Sequence, residues 1–321
     1  MKKNTTYSSV LVLLFLFIAL SSCISSQSFV PVKGKGASVE RNFTVSGFSG
    51  IDVSGGFDVI LVQGNAEGVV LTAQENLFEH ITVKVDQGIL KIYTENNIMA
   101  TQPMKARVSY KNIDNLKVSG GGDVTGETPV NVSRLDVVLS GGGDLTTIIN
   151  TSELSCHISG GGDAAINGDI KKYELELSGG GDLQSEITAG AIFCNISGGG
   201  DVTLKCKDKA TEGNIKISGG GDLTVNINTE KLYCSVSGGG DASLSGQASA
   251  FEITVNGGGD IFADKLITTT TVFHASGGSD VYVNVAAELS GEISGGGDVY
   301  YSGSPDKVSL DTKGGSEVHK Q

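Results

Sequence analysis

Apolar and polar residues alternate in short runs through this chain, and from about residue 116 onward the runs repeat in step with one another. Aligned on the recurring phrase Ser-Gly-Gly-Gly-Asp, the positions seven before the aspartate are Leu116, Val137, Cys156, Leu175, Cys194, Ile215, Cys234, Ile253 and Phe273. Five before it stand Val118, Leu139, Ile158, Leu177, Ile196, Ile217, Val236, Val255, Ala275 and Ile293. The position between them is mostly polar: Lys117, His157, Glu176, Asn195, Lys216. Alternation with period two predicts a strand with one buried face. After the aspartate the same rhythm resumes: an apolar residue (Val124, Leu145, Leu183, Val202, Ile261), a mostly Thr or Ser position, then an apolar residue again. A second strand is therefore predicted beyond each glycine corner.

The aspartates are Asp123, Asp144, Asp163, Asp182, Asp201, Asp222, Asp241, Asp260, Asp280 and Asp298, at intervals of 21, 19, 19, 19, 21, 19, 19, 20 and 18 residues. A fixed period of this size is the signature of a solenoid. Strand, corner, strand and return loop fill the interval, leaving no room for a helical crossover, so the fold class is all-β: a right-handed, single-stranded parallel β-helix. One coil cannot close a core, because its five or six inward side chains, at roughly 1.5–3 kcal/mol each, barely match the ordering entropy of the segment. Neighbouring coils must supply the missing contacts. At about 4.8 Å per coil the regular part is a rod roughly 45–50 Å long.

Glycine supplies 47 of the 321 residues and proline only 4. Without a triplet period this is not collagen, and regular aliphatic columns exclude disorder. Glycine suits a corner where backbones pack rung over rung or adopt positive φ, and the flanking Ser and Asp are expected to bond their own corner backbone. Before residue 116 the repeat loosens. Ile51 to Leu61 fits the coil template with Phe57 in place of the last glycine, and runs such as Val69–Ala73, His80–Val85, Ile89–Tyr93 and Lys105–Tyr110 alternate without a corner. Residues 39–115 are read as atypical coils capping the rod, or alternatively as a small separate sandwich, and 116–321 as the regular helix with a C-terminal cap.

The chain opens with Lys2 and Lys3, an apolar run from Val10 to Leu20, and then Leu20-Ser21-Ser22-Cys23. This is a secretory signal, residues 1–22, whose end has the form of a lipobox; the run is too short for a permanent span. Cys23 is expected to carry the lipid, with residues 23–38 including a polar tether. Losing the signal removes two of the 23 Lys and Arg and none of the 36 Asp and Glu, moving the formal charge from −13 to −15. Such a balance excludes nucleic acid as a charge-driven partner and leaves the membrane, through the lipid, and a glycan or surface protein. Cys156, Cys194 and Cys234 fall in one inward column on alternate coils, about 10 Å apart and beyond disulfide reach. They read as core residues, and a Cys194–Cys206 bridge is the alternative to free thiols.

With corners and lipobox together, the chain resembles the auto-transporter adhesin family, head GIN domain, of Gram-negative envelope proteins. The residues that carry the resemblance are Phe48-Ser49-Gly50-Ile51-Asp52-Val53-Ser54-Gly55, Gly88-Ile89-Leu90-Lys91-Ile92, and the corners from Ser119 to Asp298. It extends from about Val39 to the C-terminus. The resemblance implies a right-handed β-helix and an adhesive role, and brings no catalytic residues. Nothing here looks like a translocator barrel, so anchoring through Cys23 is expected to replace self-transport, in the cell envelope and at the outer membrane.

Three features could carry chemistry. The aspartate ladder places carboxylates about 5 Å apart, which costs about 1–3 kcal/mol per pair unless offset. Calcium is one counterweight, although toxin-type calcium repeats recur every nine residues; glycine N–H groups bonding each carboxylate at a structural corner are the other. The position two after the aspartate is Thr125, Thr146, Thr203 and Thr224 early on and becomes Phe262, Tyr282 and Tyr300 later, with Tyr301 alongside. These aromatics are the candidate binding strip, or else a sheet-stabilising ladder. His157 and His274 stand many coils apart and read as exposed strand residues. A polysaccharide lyase or hydrolase needs a unique set of groups with separated pKa values, which a uniform ladder lacks. The sequence reads as a non-enzymatic, lipid-anchored adhesin or binding scaffold without a cofactor, with the β-helix polysaccharide enzyme and a purely structural scaffold as alternatives.

Overall fold

Stacking brings equivalent residues into register over the whole rod. The computed structural model describes residues 31–95 and 97–321, and in it about 11 turns, about 19 residues apart, form one parallel β-solenoid. The apolar residue after each corner makes an unbroken column: Val59, Val124, Leu145, Ala164, Leu183, Val202, Leu223, Ala242, Ile261, Val281, Val299 and Val318 are successive partners on parallel strands. From Val59 to Val299 none of these is more than 3% exposed. Bulk is balanced along a column. Phe273, wholly buried, lies beneath Gly291, where a Cβ would meet two of its ring carbons at 2.8 Å.

At most corners the two outer glycines are set by the stacking; at the Asp280 corner buried Ser279 takes the last of these places and donates its hydroxyl to the Gly257 carbonyl at 2.8 Å. A Cβ on Gly162 would stand 2.6 Å from the Gly143 carbonyl carbon and closer still to its oxygen, and the same holds for Gly181 above Gly162. The middle glycines, such as Gly161, face open space. Their N–H groups bond the coil beneath, as in Gly161 to the Gly141 carbonyl at 2.7 Å. The corner serines also bond downward rather than locally: the Ser159 amide and hydroxyl both donate to the Leu139 carbonyl, at 3.0 and 3.3 Å.

At the N-terminal end, chain order and stacking order differ. Gly50–Ser54 and Phe57–Gln63 form the coil directly under Asn115–Gly120 and Val124–Gly126. The chain between them folds below that coil. Ile89–Thr94 and Met104–Tyr110 continue the parallel stack downward, whereas Ser38–Phe43, Gly68–Gln74 and Ile81–Asp86 run antiparallel. One reversal is enforced locally: Gln87 and Gly88, at φ +51° and +77°, turn Ile81–Asp86 back onto Ile89–Thr94 as a type I′ hairpin does. A 3₁₀ turn over Glu75–His80 buries Leu77 and Phe78 against the end of the core. This layer therefore covers apolar surface that would otherwise meet water, which is what a solenoid end demands.

Buried Gln74 fastens the first described residues to that layer. Its Nε2 donates to the Gly36 carbonyl at 2.9 Å, and its Oε1 accepts from the Thr101 amide at 2.9 Å and hydroxyl at 3.0 Å. Val32–Lys33 pairs with Ile98–Met99 in the same place. Residue 31 is thus held at the capped end. In the cap, fully buried Tyr110 has a hydroxyl with no partner among the described residues, and burial pushes its phenol up to about 12. Leaving a polar group unpaired costs about 1–3 kcal/mol. Tyr110→Phe is therefore expected to melt at or above the parent temperature in a calorimetric scan; a lower melting temperature would mean that the hydroxyl has a partner.

Cys156, Cys194, Cys206 and Cys234 are all buried and unbridged. Cys194 is separated from Cys156 and Cys234 by Leu175 and Ile215 in the same column, and burial pushes these three thiols up to about 12. The Cys206 thiol lies against the Asp208 carbonyl at 3.3 Å instead of reaching Cys194.

Candidate functional site

Each corner aspartate uses its side chain as a backbone acceptor. The Asp144 amide donates to Asp123 Oδ1 at 3.0 Å, and the pattern continues through Asp163, Asp182, Asp201, Asp222, Asp241, Asp260, Asp280 and Asp298 at 2.7–2.9 Å. Asp58 joins at the start, receiving the Asp123 amide at 3.4 Å, and the Glu317 amide closes the row on Asp298 at 2.8 Å. The glycine N–H groups expected in this role bond glycine carbonyls instead. The reason is geometric: where the chain turns, the Asp carbonyl accepts from the coil beneath, as from Leu145 to Asp163 at 2.8 Å, while the Asp amide has no carbonyl within reach. The carboxylate fills that gap.

Replacing the acceptor tests this account. Asp182→Ala leaves the Asp201 amide unpaired and is expected to cost about 1–2 kcal/mol, whereas Asp182→Asn keeps an oxygen in place and stays within about 0.5 kcal/mol. Equal losses in urea unfolding would show that the charge, not the acceptor, holds the corner. Among the described residues, no three His, Cys, Asp or Glu side chains converge as a metal site.

The outward column two residues after the corner runs Thr224, Ser243, Phe262, Tyr282, Tyr300 and His319 in register. Phe262 stacks on Tyr282 at 5.3 Å and 19°, Tyr282 on Tyr300 at 4.6 Å and 7°, and Tyr300 on His319 at 4.9 Å and 19°. His319 was not singled out from the sequence, although it stands one 19-residue period after Tyr300; as a lone histidine near the chain end it gives no aromatic signal. Tyr301, expected beside the strip, takes the opposite parity: it pairs with buried Val283 and packs against the core. The Tyr300 hydroxyl bonds Asp298 at 3.4 Å, so the rings run beside the carboxylates. Desolvation and the Asp280, Asp260 and Asp298 charges raise the Tyr282 phenol above its usual value, and desolvation with the Asp298 and Asp280 charges does the same for Tyr300. Desolvation also raises Asp260.

Elsewhere the surface of the described residues carries open grooves, two of them lined by clustered polar side chains. One, of about 510 Å³, lies along the return corners between Asp169, Lys171, Thr188 and Lys209, beneath the coil that carries two extra residues. The other, of about 410 Å³, contains Ser155, His157 and Glu176. Ser155 Oγ is 3.1 Å from His157 Nε2, and His157 Nδ1 is 2.8 Å from Glu176 Oε2. The order is that of a nucleophile, base and orienting acid. The imidazole and carboxylate are about half exposed, at 50% and 51%, and the backbone of both strands is committed to the parallel ladder. Water screening and the lack of free backbone donors for an oxyanion make this an exposed cross-strand pair rather than a catalytic centre. His274 similarly meets Glu292 at 3.5 Å, far along the rod. Cys23 lies outside the described residues, and among those residues no helix is long and apolar enough to cross a membrane.

A family model described as "Putative auto-transporter adhesin, head GIN domain" matches residues 47–212 and 203–305. No protein among those with curated functions matches. Similar solved structures include a "putative lipid binding protein" from Parabacteroides distasonis, 19% identical over 91% of this chain and 100% of that one, with a TM-score of 0.41. A "putative adhesin" from Bacteroides fragilis is 17% identical over 90% and 100%, at 0.32. Another from Parabacteroides merdae is 16% identical over 90% and 98%, at 0.39.

Proposed function

The chain belongs to the auto-transporter adhesin head GIN domain family, and from that premise we propose that it is a non-enzymatic envelope protein, held to a membrane by a lipid on Cys23, that binds glycans on the face carrying Phe262, Tyr282 and Tyr300. The aromatic stack carries this reading. Its rings share one outward column, and Tyr282 at its centre sits nine coils beyond Asp58. At about 4.8 Å per coil that is roughly 43 Å from the capped end, where residue 31 is fixed. A lipid on Cys23, eight residues earlier, would leave the aromatic coils outermost, facing partners rather than the membrane.

The same placement supports a rod that acts as spacer and presenter. The corners satisfy themselves through the ladder, so they take up no calcium on this reading, and calorimetric titration with calcium should show no heat of binding. Anchoring is tested by metabolic labelling with a fatty-acid probe: the chain incorporates label and Cys23→Ser does not. Ligand binding is tested on a glycan array, where Phe262→Ala and Tyr282→Ala should lose signals that the parent gives. Bound glycans unaffected by either change would move the site elsewhere on the rod, and hydrolysed or eliminated products would overturn the non-enzymatic reading.

A further inference from the structure

Stacking leaves few ring faces free. Tyr282 is covered on both faces by Phe262 and Tyr300, and Tyr300 by Tyr282 and His319. Sugars bind aromatic side chains through the ring face, onto which their C–H bonds pack, so the middle of the stack presents only edges. Phe262 differs. Its second face looks toward the preceding coil, where its partner in register is Ser243, and beyond that Thr224. Neither side chain is long enough to cover a phenyl ring. The result is a slot one ladder position high, roofed by Phe262.

The walls of the slot follow from strand parity. On one side stand Asp241 and Asp260, two residues before Ser243 and Phe262, as Asp298 stands by Tyr300. Each spends Oδ1 on the next coil's amide, leaving Oδ2 as an acceptor. On the other side are Ser245 and Asn226, joined by a 3.0 Å hydrogen bond, with exposed Lys265 in register with Ser245 and Lys205 in register with Asn226. Phe262's own strand carries one extra residue just beyond the ring, so that Ser243 pairs with Phe262 but Ser245 with Lys265. Such irregularities re-aim side chains at binding sites.

Deepening the glycan reading, and resting on it, we propose that this slot is the binding subsite and that it takes a single pyranose ring of a neutral or amino-bearing sugar. A pyranose chair is about as thick as the ring-to-ring spacing of the stack, so it occupies the position of the missing aromatic at residue 243. Its apolar face packs on Phe262, and its hydroxyl or ammonium groups donate to the carboxylates of Asp241 and Asp260. Those charges disfavour a uronic or sialic acid whose carboxylate would face them.

The test uses the full chain in a polyoxyethylene detergent, which carries no sugar, and saturation-transfer NMR with the methyl glycosides of galactose, glucose, glucosamine and glucuronic acid. Saturation is expected on ring protons of at least one of the first three and not on the glucuronide. Ser243→Tyr continues the aromatic ladder into the slot: its melting temperature should equal or exceed that of the parent while binding falls at least about tenfold. Thr146→Ala, exposed in the same outward column many coils away, should retain binding. Phe262→Leu provides a second slot variant, keeping apolar bulk but losing the π face, and should also bind at least about tenfold more weakly. Undiminished binding in Ser243→Tyr, or equal binding of the glucuronide, overturns the subsite while leaving glycan binding by the protein intact. Absence of every glycoside here and of every signal on the array overturns both.

Discussion

Gly162→Ala is expected to separate the rod into two halves, while Gly161→Ala, its neighbour, leaves it whole. The added methyl on residue 162 has to displace the Gly143 carbonyl, which is backbone and not the free end of a side chain. No rotamer relieves such a clash, so the loss should reach about 3 kcal/mol or more, at the upper end for overpacked sites. Residue 161 has open space and a φ outside the left-handed region. There an alanine restricts the unfolded chain and should change stability by no more than about 1 kcal/mol, in the stabilising direction. Because coils contact only their neighbours, the damage is local before it is global. Hydrogen exchange should therefore quicken around residues 141–165 in the first variant, with the cap still protected. Equal behaviour of the two variants would show that flexibility, and not rung-over-rung contact, selects glycine at the corners.

Phe273→Ala should be the costliest single truncation in the core. The ring is completely buried, and the coil beyond offers Gly291 in the same column. A neighbour without a side chain cannot move into the space. The loss should then lie in the range of about 3–5 kcal/mol seen for buried phenylalanines, with Phe273→Leu nearer 1.5 kcal/mol. Denaturant unfolding measures both, and exchange should show the coils from residue 261 onward opening first. Losses below about 1 kcal/mol for the alanine would mean that these coils collapse freely and that the column is loosely packed.

The aromatic stack and the corner ladder were legible in the sequence to different degrees. Column membership of Phe262, Tyr282 and Tyr300 follows from counting residues after each aspartate, and their mutual stacking follows from the parallel register. Which ring face remains open does not, because that depends on how Ser243 and Thr224 stand beneath Phe262. Tyr301 adjoins the strip in sequence but not in space: one residue along a strand reverses the face, and parity outweighs proximity. The carboxylates are legible as a ladder, but their donor is the next aspartate's amide and not a glycine N–H, since only the three-dimensional corner shows which amide is left without a carbonyl.

The cap illustrates the same division. Its strands are visible as alternating runs, yet their direction is set by the turn at Gln87 and Gly88 and by the demand for cover at the end of the core. Neither acts through a periodic pattern. By itself the sequence determined the coil, its period, the inward columns and the need for glycine, because a repeat forces every rung to obey the same short-range rules. Only the tertiary structure decided the stacking order at the capped end, the bond that each aspartate makes and which face of the Phe262 ring stays open. Those features arise where neighbouring coils differ, and a difference between neighbours has an outcome only once they touch.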